Sequence, residues 1–218
     1  MTVMPTGAQL REDLARYYDQ DAVGRSQRPL QDERIARRES FLTGLLAEGA
    51  GRLLEVGLGP GVDAVAFQQG GLDVAGVDLS AEHVRLAREA GIEAHLAAAQ
   101  DLPFETSSFD ALWCASVLMH MPDRDLGEAL AEFARVLRPG SRAALGMWGG
   151  DGTQGINPDD VIEPPRFFAW RTDEEIRAAI GAYATIEVFD TWSVPNNRGP
   201  AFHYQWCIAR FGHDSVVT

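Results

Sequence analysis

The sequence predicts an α/β fold, in which helices cover both faces of a mostly parallel sheet. From residue 52 to residue 148, short apolar runs typical of strands alternate with helical patterns. This alternation is typical of parallel strands joined by crossover helices. Two further strand patterns close the chain, and a closing antiparallel pair on such a sheet is common. We therefore expect seven strands, mostly parallel, with an antiparallel last strand.

The first 50 residues predict two helices that precede the sheet. Helical patterns cover residues 8–20 and 30–49, with a break at residues 24–29. In the second helix, apolar residues fall near helical spacing at Ile35, Phe41, Leu42, Leu45 and Leu46. We expect residues 1–50 to form an N-terminal helical cap and residues 51–218 to form the main domain.

The elements of the main domain follow in order. Strand patterns cover residues 52–56, 72–77, 92–97, 109–115, 142–148, 185–190 and 201–211. Helix patterns cover residues 63–69, 81–90, 124–137 and 172–180. Thr172 and Glu175 have the spacing of a capping box at the start of the last helix. The last two strands are separated by a predicted hairpin loop that contains Pro195, Asn196, Asn197 and Gly199.

The composition excludes several kinds of chemistry. The 218 residues include 32 acidic and 19 basic residues, for a net charge of −13, and every basic residue is Arg. Without Lys, neither a phosphate-binding P-loop nor a Schiff-base enzyme can be built. The negative charge argues against nucleic acid and anionic membranes as partners. The two cysteines supply neither a disulfide framework nor a zinc ligand set, so we expect no metal.

The sequence also predicts where the protein resides. Its first residues lack a basic start followed by an apolar run, so no signal peptide is expected. No stretch approaches the ~18 apolar residues of a membrane helix. We therefore expect a cytoplasmic protein, either a monomer or a homodimer.

A glycine loop is the sharpest local feature. The segment Glu55-Val56-Gly57-Leu58-Gly59-Pro60-Gly61 follows a predicted strand and precedes a predicted helix. Gly57, Gly59 and Gly61 let the backbone turn sharply and approach a ligand closely. The free N–H groups of the following helix suit a carboxylate or a phosphate. The loop is therefore a candidate cofactor site.

Two classes of cofactor use this geometry. The dinucleotide fingerprint requires a third glycine where Val62 stands, so its register fails when counted from Gly57. Asp78, 21 residues after Gly57, does not discriminate, because either class can place a ribose-binding carboxylate there. Glu55, two residues before Gly57, suits a cofactor that carries an ammonium group. Glu55 therefore favours a cofactor that carries an ammonium group over a nicotinamide dinucleotide.

Five motifs together resemble the class I S-adenosylmethionine-dependent methyltransferases over about residues 50–150. In chain order they are Glu55 with the three glycines, Asp78, Gln100-Asp101-Leu102-Pro103-Phe104, Phe109-Asp110, and Leu137-Arg138-Pro139-Gly140. Each motif alone is a modest signal, but five in the right order and spacing are a strong one. The resemblance implies a Rossmann-like sheet and S-adenosylmethionine as the cofactor.

The resemblance also implies roles for individual residues. The methionine part of the cofactor would lie in the glycine loop, at Glu55, Gly57, Gly59 and Gly61. Asp78 would accept hydrogen bonds from the ribose hydroxyls, and Leu79 would pack on the adenine. Asp101 would accept from the adenine amino group, with Gln100 or Leu102 giving backbone contacts. From the N-terminal helix, Tyr17 or Tyr18 would close over the cofactor, and Tyr18 is the residue we select.

The sequence offers fewer motifs for the site that would bind the methyl acceptor than for the cofactor site. His120 follows the fourth strand, near the crevice where an acceptor would lie, and is a candidate general base. Residues 149–165 are rich in Gly, Asp and Pro and predict a long loop. After it, Arg166 and Trp170 are candidates for the wall of an acceptor pocket, where Arg166 or Arg171 would pair with an acidic group. Residues 149–171 are thus a candidate substrate loop, and the alternative for each residue is structural packing.

The favoured hypothesis is transfer of a methyl group from S-adenosylmethionine to a small-molecule acceptor by in-line displacement. The sulfonium is already activated, so the main tasks of the protein would be alignment of the acceptor and exclusion of water. The identity of the acceptor and the methylated atom (O, N or C) remain open. Two alternatives are a non-catalytic S-adenosylmethionine-binding regulator and an NAD-dependent oxidoreductase.

Overall fold

A computed structural model describes residues 5–193 and 202–212 of the chain. The helices are α1 (Gly7–Ser26), α2 (Asp32–Ala47), α3 (Val62–Gln69), α4 (Ala81–Glu89), α5 (Asp123–Val136) and α6 (Asp173–Gly181). The strands are β1 (Arg52–Val56), β2 (Asp73–Asp78), β3 (Glu93–Leu96), β4 (Phe109–Ala115), β5 (Leu137–Gly149), β6 (Gln154–Ile156), β7 (Phe167–Ala169), β8 (Ala184–Trp192) and β9 (His203–Phe211). The predicted hairpin loop with Pro195 to Gly199 lies outside the described residues.

The main sheet has seven strands in the order β3-β2-β1-β4-β5-β9-β8. The first five strands of this order pair in parallel, whereas β9 runs antiparallel to both β5 and β8. The predicted seven-stranded α/β sheet with an antiparallel last strand is confirmed. The strand order reverses between β1 and β4, so a crevice opens beyond the carboxyl ends of these two strands, where open α/β sheets bind ligands.

The core consists of two apolar layers, one on each face of the sheet. Leu53 and Leu54 are both fully buried and belong to different layers, because successive side chains of a strand point to opposite faces. In one layer, Trp113 of β4 packs its ring 5.2 Å from Phe67 of α3 and 5.8 Å from Phe41 of α2. This aromatic packing fixes α2 and α3 on the same face of the sheet.

Two segments differ from their predicted structure, and α1 also continues to Ser26, into the predicted break at residues 24–29. Residues 149–165 are not a continuous loop, because β6 pairs with β7 in a separate two-stranded antiparallel ribbon. Strands of three residues, flanked by Gly, Asp and Pro, are too short to show an alternating pattern in the sequence. The fifth strand begins at Leu137 rather than at residue 142, and the predicted turn at Pro139-Gly140 lies within it, near a register shift against β4.

The helix α1 lies across the carboxyl end of the sheet. Asp19 accepts hydrogen bonds from the Ser80 hydroxyl at 2.6 Å and from the Glu82 backbone N–H at 3.1 Å, at the start of α4. At the other end of α1, Arg11 forms an ion pair with Asp125 of α5 at 2.7 Å. These contacts hold α1 over the crevice. The capping box of Thr172 on α6 is also present as predicted.

Candidate active site

A cavity of about 340 Å³ opens at the carboxyl ends of β1 and β4, beneath α1. Its volume falls in the usual range for small-molecule sites. Predicted site residues that line it are Tyr18, Gly57, Gly59, Asp78, Leu79, Gln100 and His120. The structure thus brings seven of the predicted residues together around one space.

The glycine loop has the backbone that the sequence predicts. Gly57, Gly59 and Gly61 have φ angles of +71°, +55° and +85°, in the left-handed region that favours glycine. A Cβ atom on Gly57 would lie 2.2 Å from Cγ2 of Val117, whereas nothing lies within 4 Å of one on Gly59. Gly61 faces away from the cavity, toward Ala87 of α4. A side chain at position 57 would therefore collide with Val117, whereas the absence of a side chain at Gly59 leaves open space beside the loop.

Asp78 ends β2 and is held by three neighbours. One carboxylate oxygen accepts from the Gly59 N–H at 2.9 Å, and the other accepts from the Ser80 N–H at 2.8 Å. Nδ1 of His83 lies 3.4 Å from that second oxygen. The carboxylate therefore couples the glycine loop to the start of α4 and leaves one edge on the cavity.

Glu55 lies below the cavity rather than on its lining. Burial, and next the negative charge of Asp63, raise the pKa of the Glu55 carboxyl well above its usual value. The folded protein therefore favours the protonated form of Glu55 more than the unfolded chain does. Its Oε2 atom is buried without a hydrogen-bond partner among the described residues. The predicted contact of Glu55 with an ammonium group stays a prediction.

Asp63 is a residue whose importance the sequence did not indicate. It is buried on α3 and accepts hydrogen bonds from Arg34 at 2.8 Å and from Arg38 at 2.9 Å, both on α2. The indole N–H of Trp113 adds a third bond at 3.2 Å. Two guanidinium groups thus compensate one buried carboxylate, as a buried charge requires. This cluster ties α2 to the helix that follows the glycine loop.

Of the three predicted adenine-binding residues after β3, only Gln100 lines the cavity. The side chain of Gln100 lines the cavity, donates to Asp125 at 3.2 Å and leaves its Oε1 atom buried without a partner in the described chain. Asp101 is exposed and does not line the cavity. Leu102 is buried, and its N–H already donates to Glu132 at 2.9 Å. The adenine contacts of these residues remain predictions, and the geometry favours Gln100.

His120 is held in one tautomer. Its Nδ1 atom lies 2.9 Å from the carbonyl oxygen of Phe167, so this nitrogen carries the proton. Nε2 therefore accepts from the hydroxyl of Tyr18 at 3.0 Å, and Arg166 donates to the same hydroxyl oxygen at 3.3 Å. Burial, and then the nearby charge of Arg166, lower the pKa of His120 to about 3. His120 is neutral at physiological pH and reaches the cavity beside Tyr18.

The two predicted substrate residues lie outside the cavity lining. The guanidinium of Arg166 is paired with Asp160 through bonds of 2.7 and 2.8 Å, and it lies 4.2 Å above the ring of Tyr17. Trp170 is buried and stacks on Phe168 at 5.1 Å. Arg171 is likewise paired with an acid, Asp123, at 2.8 Å. The substrate roles of Arg166 and Trp170 stay predictions.

The far side of the cavity is lined by residues that sequence reasoning missed. Trp148, Trp192 and Tyr204 lie there, next to Ser116, which follows β4. Ser116 has a φ of +65°, which is uncommon for a residue other than glycine. Alternation along the last strand did group Tyr204 with Trp206 on one face, but no local pattern shows that Trp148 and Trp192 flank Tyr204.

Comparison with known proteins finds a family match over part of the chain. Residues 54–145 match the family model described as a methyltransferase domain. A 27-O-demethylrifamycin SV methyltransferase of Amycolatopsis mediterranei is 36% identical over 125 residues, which are 53% of this chain and 45% of the relative. An O-methyltransferase of Aspergillus sclerotiorum is 33% identical over 171 residues, covering 66% of this chain and 62% of the relative. This chain spans about half the length of several curated relatives that it matches.

Solved structures give the same fold. The 1,6-didemethyltoxoflavin-N1-methyltransferase of Burkholderia thailandensis superposes with a TM-score of 0.72 at 21% identity, covering 98% of this chain and 93% of that one. That structure contains its substrate and S-adenosylhomocysteine. The family match over residues 54–145, the fold and the motif order together support a class I S-adenosylmethionine-dependent methyltransferase domain in this part of the chain. The predicted family and cofactor class are confirmed, and an NAD-dependent oxidoreductase is not favoured.

The described residues contain neither a membrane-spanning helix nor a cluster that could bind a metal ion. None of the helices in residues 5–193 is both long and apolar enough to cross a membrane. Within the same ranges together with residues 202–212, no three His, Cys, Asp or Glu side chains converge so as to hold a metal ion.

Proposed function

We propose that this protein transfers the methyl group of S-adenosylmethionine to a small-molecule acceptor. One observation carries the proposal: the glycine loop, Asp78 and the segment after β3 meet at a single cavity, in the order that the family motifs require. The acceptor is proposed to be a small molecule because the chain is strongly acidic and α1 covers the crevice. The Amycolatopsis relative is named for 27-O-demethylrifamycin SV and the Burkholderia enzyme for 1,6-didemethyltoxoflavin, both small molecules, which supports the same class.

The residues present fit the cofactor. Open space beside Gly59, with the loop N–H groups, suits the carboxylate of a methionine moiety. The exposed edge of Asp78 suits a ribose diol. The buried, unpartnered Oε1 atom of Gln100 suits the amino group of an adenine, because an amide oxygen accepts hydrogen bonds. Leu79 lines the cavity between Asp78 and Gln100 and suits the adenine face.

The residues of the chain mainly position and shield the reactants. When bound, S-adenosylmethionine supplies a methyl group on a sulfonium that is already a good leaving group. The helix α1 excludes water from the cavity, as alignment of an acceptor requires, and β7 packs against α1 through Phe167, Ala169 and Leu10. We propose that residues 1–50 act as a cap and that residues 149–171 support it, rather than acting as a free substrate loop.

Tyr18 and His120 form a hydrogen-bonded pair beside the cavity. His120 is buried and neutral, and Tyr18 stands between its Nε2 atom and the cavity. We propose that His120 is a positioning residue for the Tyr18 hydroxyl, and that Tyr18 contacts the acceptor or the cofactor. Because the pKa of His120 is about 3, the ring does not hold a proton at neutral pH. An acceptor hydroxyl would therefore hydrogen-bond to Tyr18 and release its proton to solvent, whereas an amine would need neither residue.

The two cysteines, which lie outside the site, indicate the cellular compartment of the protein. Cys114 and Cys207 are buried free thiols, as in a reducing compartment, and burial raises the pKa of the Cys207 thiol to about 12. We propose a cytoplasmic protein that is a monomer or a homodimer. Size-exclusion chromatography with light scattering distinguishes the two assemblies.

The test is methyl transfer itself. Methyl-labelled S-adenosylmethionine is incubated with the protein and a panel of hydroxylated and aminated aromatic compounds, and label in an acceptor is counted together with S-adenosylhomocysteine. We expect label transfer by the native chain and at least a hundredfold slower transfer by Asp78→Asn. A protein that binds S-adenosylhomocysteine yet transfers no label to any acceptor would be a non-catalytic binder, and the proposal would be wrong.

A further inference from the structure

Three aromatic side chains form a row across the sheet at the far side of the cavity. In the strand register, Trp148 of β5 is opposite Tyr204 of β9, and Tyr204 is opposite Trp192 of β8. Directly paired residues share a face of a sheet, so the three rings stand side by side. Their centroids are 5.9 Å and 4.9 Å apart. We call Trp148, Tyr204 and Trp192 the aromatic row.

The aromatic row keeps part of its surface accessible to the cavity. All three rings line the cavity and are only half-buried. Trp206 also lines the cavity but is buried, and Trp113 lies in the core. Arg37 of α2, another lining residue, lies 5.1 Å from the ring of Trp192. Large aromatic surfaces that face a cavity and are not covered by other side chains bind apolar or aromatic ligands.

A polar pair lies beside the middle ring of the aromatic row. The hydroxyls of Tyr204 and Ser116 are 2.9 Å apart, and Gly146 permits this approach because a Cβ there would lie 2.7 Å from the Tyr204 hydroxyl. Ser116 holds its left-handed backbone at the end of β4, and strain of this kind is typical of functional sites. The next residue, Val117, packs on Gly57. The polar pair therefore lies between the aromatic row and the glycine loop.

The hydroxyl of Tyr204 remains protonated at neutral pH. Burial raises the pKa of Tyr204 above its usual value, although the positive charge of Arg34 opposes the shift. Tyr204 and Ser116 can therefore both donate and accept hydrogen bonds. The ring of Tyr204 is inclined by 78° to that of Trp148 and by 35° to that of Trp192, so the aromatic row offers both ring edges and ring faces. With hydroxyl groups beside its middle ring, it matches a planar molecule that carries an oxygen at its edge.

We infer that the aromatic row binds the acceptor as a planar aromatic or conjugated ring system, with a ring oxygen at the Ser116–Tyr204 pair. The inference rests on the proposed function and assigns its substrate class. A saturated ring of the same size fills similar space, but it lacks the π-face that pairs with the indole rings. The aromatic row should therefore discriminate between the two kinds of ring.

The test compares two matched alcohols. Binding of 2-naphthol and of its saturated counterpart decahydro-2-naphthol is measured by calorimetry with S-adenosylhomocysteine at saturation. We expect the native protein to bind 2-naphthol about tenfold more tightly than the saturated alcohol, and Trp192→Leu to lose most of that preference. The control is Phe189→Leu, which removes a half-buried ring from the same strand but not from the cavity lining. This control should keep the preference.

The outcomes separate the inference from the proposed function. Equal binding of the two alcohols, binding of neither, or an equal loss in Phe189→Leu would overturn the role of the aromatic row. Binding of S-adenosylhomocysteine is measured first on all three proteins and should agree within about twofold, which also shows that the variants are folded. If the native protein failed to bind S-adenosylhomocysteine, the proposed function itself would be wrong.

Discussion

Adding one methyl group at two neighbouring glycines should have two different consequences. Gly57→Ala and Gly59→Ala both place a Cβ at a positive φ, which costs about 1–2 kcal/mol of stability. Only at position 57 does the new atom collide with the protein, at 2.2 Å from Val117. We expect Gly57→Ala to lower the free energy of unfolding by about 1–3 kcal/mol more than Gly59→Ala does. Urea denaturation measures both values.

The same pair also tests the location of the cofactor. Because space beside Gly59 is open, its alanine variant should fold and yet bind S-adenosylhomocysteine at least tenfold more weakly. Equal unfolding free energies for the two variants, or unchanged ligand affinity in Gly59→Ala, would contradict this description of the loop.

Glu55 allows a test of a buried neutral acid. Its raised pKa means that the unfolded chain loses a proton that the folded chain keeps, so the residue reduces stability as pH rises above the usual glutamate pKa. Glu55→Gln removes this penalty without changing shape. At pH 7 we expect the variant to be more stable than the native protein, with a difference that shrinks as pH falls toward about 4.3. A gain that grows on acidification would mean that Glu55 is ionised.

His120 should give the opposite dependence on pH. Its pKa of about 3 in the folded protein lies below the ordinary value of 6.5, so the unfolded chain binds a proton first on acidification. Native stability should therefore fall as pH decreases from about 6.5 toward 3, by an amount on the order of 4 kcal/mol. His120→Asn should lack this component. Parallel stability curves for the two proteins between pH 4 and 7 would show that His120 is not buried as a neutral ring.

At the scale of elements, α1 should act as a cap whose attachment controls ligand residence. Asp19 joins α1 to the start of α4, and Asp19→Ala leaves the Ser80 hydroxyl and the Glu82 N–H without that acceptor. We expect S-adenosylhomocysteine to dissociate about tenfold faster from this variant, and trypsin to cleave faster after Arg25, which precedes Ser26. Stopped-flow fluorescence and timed proteolysis measure the two effects.

The control for the cap lies on the same helix. The side chain of Asp13 bonds Gln9 and Arg16, both on α1, so Asp13→Ala removes a carboxylate without loosening the attachment to α4. Its dissociation rate should stay near the native value. An equal increase in both variants would show that the contact of Asp19 with α4 has no special importance.

The elements also show why part of the structure escaped sequence analysis. Local patterns predicted the main strands and helices, because alternation and helical periodicity are visible within one segment. The β6–β7 ribbon was missed because its strands have only three residues each. Asp63 and its arginine partners were missed because they are 25 and 29 residues apart along the chain. The aromatic row was missed because its three strands meet only in the folded sheet.

For the whole molecule, the family motifs predicted the centre of the site better than its periphery. The glycine loop and Asp78 lie next to β1 and β2, so their positions follow from the sheet topology alone. Arg166 and Trp170 depend on how residues 149–171 fold, and the structure pairs Arg166 with Asp160 instead of directing it into the cavity. The chemistry that a fold shares is thus easier to predict than the surface that selects its acceptor.

Titration calorimetry tests most directly whether the cavity holds an S-adenosyl cofactor on Asp78. The native chain and Asp78→Asn, which removes the charge but keeps the shape, are each titrated with S-adenosylhomocysteine and with NADH. We expect the native chain to bind S-adenosylhomocysteine but not NADH, and the variant to bind at least tenfold more weakly. Binding of NADH by the native chain, or S-adenosylhomocysteine affinity that is the same in both proteins, would contradict the account.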